Sequence, residues 1–106
     1  DLMSAMQNNI NLLNTAQKEF CNRGRTWAAA ERDYRVALAK KILSERDKGT
    51  PVSIISDICR GSEEISALKF TRDCAEVVYK SAMEAINGYK LQIKVLENQI
   101  DREWRG

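Results

Sequence analysis

Apolar side chains recur along the C-terminal part of the chain with a regular beat. Ile65, Leu68, Arg72, Ala75, Tyr79, Ala82, Ile86, Tyr89, Ile93, Leu96, Ile100 and Glu103 follow one another by alternating steps of three and four. All but Arg72 and Glu103 are apolar or aromatic. A repeat of 3.5 residues held over more than five heptads predicts one long helix that packs lengthwise on another. The stretch 63–104 contains no proline and a single glycine, Gly88, so nothing in it opposes that helix.

The N-terminal part repeats the design through Met6, Ile10, Leu13, Gln17, Phe20, Gly24, Trp27, Glu31, Tyr34 and Leu38. Gly24 leaves two readings open. Either one helix covers about residues 2–47, with the bare backbone at Gly24 permitting close approach, or Asn22-Arg23-Gly24 divides it in two. Asp47-Lys48-Gly49 then supplies a glycine stop. Thr50-Pro51 reads as a capping hydroxyl followed by proline at the first helical position. A short helix over about 51–60 presents Val52, Ile54, Ile55, Ile58 and Cys59 and ends at Gly61. Ser62, followed by Glu63 and Glu64, opens the last helix, over about 63–104. The expected fold is all-α and a single domain over 1–106: two long antiparallel helices, a hairpin of ~60 Å at 1.5 Å per residue, joined by a short helix folded over one end.

A two-helix hairpin cannot cover all its apolar side chains. Phe70, Cys74, Val77, Val78, Leu91 and Val95 form a second stripe on the last helix. The expectation is a homo-oligomeric helix bundle, a dimer or higher, with Phe70, Val77, Val78, Leu91 and Val95 at its interface.

Composition narrows the chemistry. The 106 residues include no histidine, which removes His-based acid–base pairs and most zinc sites. The net charge of +2 does not favour duplex DNA or an anionic membrane as a partner of the whole molecule. Positive charge concentrates in 23–48, with eight basic and four acidic side chains. Cys21, Cys59 and Cys74 form no CxxC and leave one thiol over, the pattern of small buried hydrophobes in a reducing compartment. The start, DLMSAMQNN, lacks a basic and apolar leader, and the expected location is the cytoplasm. No P-loop, HExxH, GxSxG or GxGxxG occurs, so the reading is non-enzymatic, with neither cofactor nor metal.

Two clusters offer ligand chemistry. Arg60, Lys69 and Arg72 lie around the junction where Ser62 begins a helix, which suits a phosphate or carboxylate. The plainer alternative pairs Arg72 with Asp57 or Glu64, or lets it reach solvent. Arg23, Arg25 and Trp27, with Arg32, Tyr34 and Arg35 beyond, suit phosphate contacts beside base stacking. The alternative places Trp27 and Tyr34 in the core and pairs the arginines with Glu31 and Asp33. A helix-turn-helix over 50–64 is disfavoured, because Glu63 and Glu64 would meet phosphates with the wrong sign.

Three stretches carry a resemblance: Ala29-Ala30-Glu31-Arg32-Asp33-Tyr34-Arg35-Val36-Ala37-Leu38-Ala39-Lys40; Gly49-Thr50-Pro51-Val52 with Asp57-Ile58-Cys59-Arg60-Gly61; and Ala75-Glu76-Val77-Val78-Tyr79-Lys80-Ser81-Ala82. They are similar to small helical proteins encoded by phages and prophages of Gram-positive bacteria, over roughly residues 23–104. The resemblance implies a host-directed binding protein that counters defence, by sequestering an anionic nucleotide signal or by blocking a host defence protein. Two alternatives stand beside it. One is an accessory of phage DNA replication or recombination that binds single-stranded nucleic acid or a replication protein. The other is a purely structural oligomer. A second resemblance, to secreted helical hairpins with a Trp-x-Gly turn, fails because the central turn, 48–64, has no tryptophan and Trp104-Arg105-Gly106 stands at the end of the chain.

Overall fold

A computed structural model describes residues 1–106 as three helices: α1, Leu2–Asp47; α2, Val52–Gly61; and α3, Glu63–Arg105. The all-α expectation holds. α1 runs unbroken through Gly24, which decides between the two readings of the N-terminal part. Close to the glycine, Arg23 and Glu19 form an i,i+4 ion pair at 2.6 Å.

The ends of the helices follow from local chemistry. At Asp1, the side-chain Oδ1 accepts a hydrogen bond from the Ser4 amide at 2.7 Å and caps α1. At the other end Gly49 takes φ +82°, a conformation that favours glycine. The Thr50 amide donates to the Glu45 carbonyl at 3.1 Å and the Gly49 amide to the Arg46 carbonyl at 3.0 Å, the paired bonds of a Schellman stop.

Three expectations at the two ends of α2 are corrected. Pro51 is not the first helical residue: with ψ 133° it is extended and precedes the helix, so α2 begins at Val52. Thr50 does not cap α2 with its hydroxyl, which instead donates to Glu45 Oε2 at 2.7 Å. Gly61 does not stop α2 but is its last residue, and it lacks a positive φ. The stop is Ser62, extended at ψ 148°. Its Oγ donates to the Cys59 carbonyl at 2.8 Å and accepts from the Ile65 amide at 3.4 Å, so one hydroxyl closes α2 and opens α3.

Contacts gather the chain into two compact units, one of residues 1–23 with 78–106, the other of residues 24–77. In the first, α1 and α3 run antiparallel along their seams, and Phe20 stacks on Tyr79 with ring centroids 4.6 Å apart. Its single buried side chain is Ile86. In the second, Ala30 and Tyr34 of α1, Ile55 and Cys59 of α2, and Ile65 of α3 form a three-helix core, and Glu45 is buried with them. Three helices enclose a centre that two cannot, which is why this unit holds nearly all the buried residues.

The expectation of three buried thiols is corrected. Cys59 is fully buried, whereas Cys21 and Cys74 lie off the seams and are exposed; all three are free.

Candidate functional site

Arg72 sits on the α3 seam opposite α1. Its guanidinium carbon lies 4.6 Å from the centroid of the Tyr34 ring. Its Nε is 3.3 Å from Glu31 Oε2, and its Nη2 is 2.9 Å from Asp73 Oδ1. The pairing expected with Asp57 or Glu64 is therefore corrected in its partners: Glu31 is one helix away on the facing seam, and Asp73 is the next residue in sequence. The hydrogen bond from Arg72, above all, holds the Asp73 carboxyl below its ordinary range, and Lys69 adds to the effect. Asp73 in turn raises the Arg72 guanidinium.

Lys69 Nζ stands 3.6 Å from Asp73 Oδ2. Lys69 and Arg72 are thus gathered on one carboxylate, while Arg60 is exposed on α2. In the other cluster, Arg23 is held by Glu19, Arg25 is exposed, and Trp27 is half-buried on the seam. Tyr34 is core, and Arg35 and Arg32 meet Glu31 at 2.6 Å and Asp33 at 3.3 Å, the pairing read from the sequence.

The second stripe is open. Phe70 is 70% exposed, Val77 63%, Leu91 66% and Val95 48%, with Val78 at 41%. These side chains present apolar surface from α3, the usual chemistry of a macromolecular contact.

Sequence reasoning missed a groove of about 470 Å³ in the second unit, lined by Arg32, Asp33, Val36, Ala37, Lys40, Lys41, Ser44 and Glu64. Its signal was the i,i+4 run Arg32, Val36, Lys40 beside Ala37, Lys41, Ser44. It combines the cations of Arg32, Lys40 and Lys41 with the carboxylates of Asp33 and Glu64, the Ser44 hydroxyl and the apolar side chains of Val36 and Ala37. Further along α1, Thr50 donates to Glu45 and lowers its carboxyl below the ordinary value against the effect of burial, with Lys48 and Lys41 assisting. No three His, Cys, Asp or Glu side chains converge on one point, and no helix is long and apolar enough to cross a membrane.

Comparison with protein-family models, curated proteins and solved structures finds no match to this chain.

Proposed function

We propose that the chain is a non-enzymatic helical binding protein that acts as a homo-oligomer and counters host defence in a phage context, by sequestering a ligand or by occluding a host protein. The observation that carries the binding role is the exposed apolar face of α3, where Phe70, Val77 and Leu91 each leave more than half of their surface open. An amphipathic helix of this kind gains about 25 cal/mol for each Å² of apolar surface that a partner removes from water. The phage setting rests on the sequence resemblance described above. For an anionic ligand, the supporting feature is Lys40 and Lys41 of the groove, since Arg32 is held by Asp33 and Lys69 and Arg72 converge on Asp73.

Native mass spectrometry of the protein purified from cells tests the reading. An oligomer that carries the added mass of a nucleotide supports sequestration. A bare oligomer supports occlusion of a protein. A bare monomer that pulls down no host protein refutes the reading.

A further inference from the structure

The first unit consists of two helices around one buried side chain, Ile86, and a two-helix pair leaves one long face of each helix unused. On α3 that face is a heptad stripe: Glu84, Gly88, Leu91, Val95, Asn98 and Arg102, spaced four, three, four, three, four, every one exposed. Leu91 and Val95 of this stripe also line a groove of about 380 Å³, together with Gln92 and Leu96 of α3 and Ala5 and Asn9 of α1. The Asn9 amide nitrogen is turned back on its own helix and donates one of its two N–H groups to the Ala5 carbonyl at 3.0 Å. At Gly88 an added Cβ would meet nothing within 4 Å, which leaves bare backbone for close approach.

The stripe is its own antiparallel complement. A two-fold axis passing at Ile93 sets Leu91 against Val95 of the partner, Gly88 against Asn98, and Glu84 against Arg102. Apolar residues meet at the centre and opposite charges at both ends. Glu84 and Arg102 enter no ion pair within the protomer. We infer that the occupant of this face is a second copy of the chain, docked antiparallel along Glu84–Arg102 so that the two helix pairs make a four-helix bundle in which Leu91 and Val95 enter the partner's groove. A parallel partner would set Glu84 against Glu84 and Arg102 against Arg102.

This seam deepens the self-association proposed above and rests on it. Sedimentation equilibrium on the full chain tests both, with far-UV circular dichroism to confirm that each variant stays helical. The expected result is a wild-type dimer, weakened at least tenfold by Leu91→Lys and about tenfold or more by either Glu84→Arg or Arg102→Glu. The double variant, which swaps both charges, returns to within a few-fold of wild type. A wild-type monomer at every concentration overturns the seam and the self-association together. An oligomer indifferent to Leu91→Lys and to both single reversals overturns the seam alone. Weakening by the single reversals without rescue in the double overturns the antiparallel register.

Discussion

Arg72 of α3 lies with its guanidinium carbon 4.6 Å from the centroid of the Tyr34 ring of α1 while its Nε reaches Glu31, 3.3 Å away and one turn earlier on the same helix. Glu31 also accepts Arg35 at 2.6 Å, so one carboxylate joins a pair within α1 to a pair between α1 and α3. The charge on the seam is thereby satisfied by the face of an aromatic ring and by carboxylates.

Replacing Arg72 should therefore cost stability. Arg72→Ala is expected to destabilise the fold by about 1 to 2 kcal/mol in urea titrations, the sum of a cation–π contact and a partly screened ion pair. Arg72→Lys should recover only part of this, because an ammonium lacks the planar fork that both stacks and pairs. A double-mutant cycle with Glu31→Gln should show coupling between the two sites. Additive losses would mean that the pair contributes nothing.

The Thr50–Glu45 hydrogen bond predicts a pH dependence. The folded-state pKa of Glu45 is lowered, chiefly by the Thr50 hydroxyl. The associated stability is fully present above the ordinary glutamate pKa and is lost as the pH falls through the lowered folded value. Thr50→Val removes the donor. The stability gap between wild type and this variant should be wide at pH 7 and should close on acidification from about pH 5 downward. An unchanged gap at pH 3 would show that the bond does not favour the ionised form.

Two glycines should respond in opposite ways. Gly49 has φ +82°, and Gly49→Ala should cost about 1 kcal/mol through the left-handed backbone alone, since nothing lies within 4 Å of the added Cβ. Gly61 ends α2 with no positive φ and equally open space, so Gly61→Ala should be neutral or stabilising by up to about 1 kcal/mol. Thermal melts of the two variants measure this directly.

The thiols should divide by burial. Cys59 is fully buried against α1 and α3, and a thiol reagent should modify it only on unfolding in guanidinium. Modification of Cys59 at the same rate as Cys21 under native conditions would mean that α2 opens freely from its unit.

Most of the fold was legible from one number, the 3.5-residue repeat. From Ile65 to Ile100 every seam position is at least half covered, and Met6, Phe20, Trp27 and Tyr34 lie on the matching seam of α1. The C-terminal bound of α1 also followed from the chain, because a glycine stop is a local device. Ser62 as the start of α3 was visible for the same reason. Thr50 was misread because a hydroxyl beside proline can accept from a helix amide or donate to a carboxylate, and only the turn of the chain at Gly49 brings the Glu45 carboxylate to it.

The amino-acid sequence by itself determined that this protein is helical, where the outer ends of its helices lie to within a residue, and which face of each turns inward, since periodicity and capping act over a few residues; whether α1 continues through Gly24 it left open. The tertiary structure alone decided which charged side chains meet between helices, whereas the pairing of Arg35 and Arg32 with Glu31 and Asp33 inside α1 is local and was legible. That Arg72 meets Glu31 and Tyr34 depends on side chains some forty residues distant along the chain, and charge pairs carry no periodic signal that would name the partner in advance. It also decided that three helices enclose a core around Cys59 and Ile65 while two helices around Ile86 do not. That contrast follows from the number of helices that meet at each place, a quantity that sequence spacing does not encode.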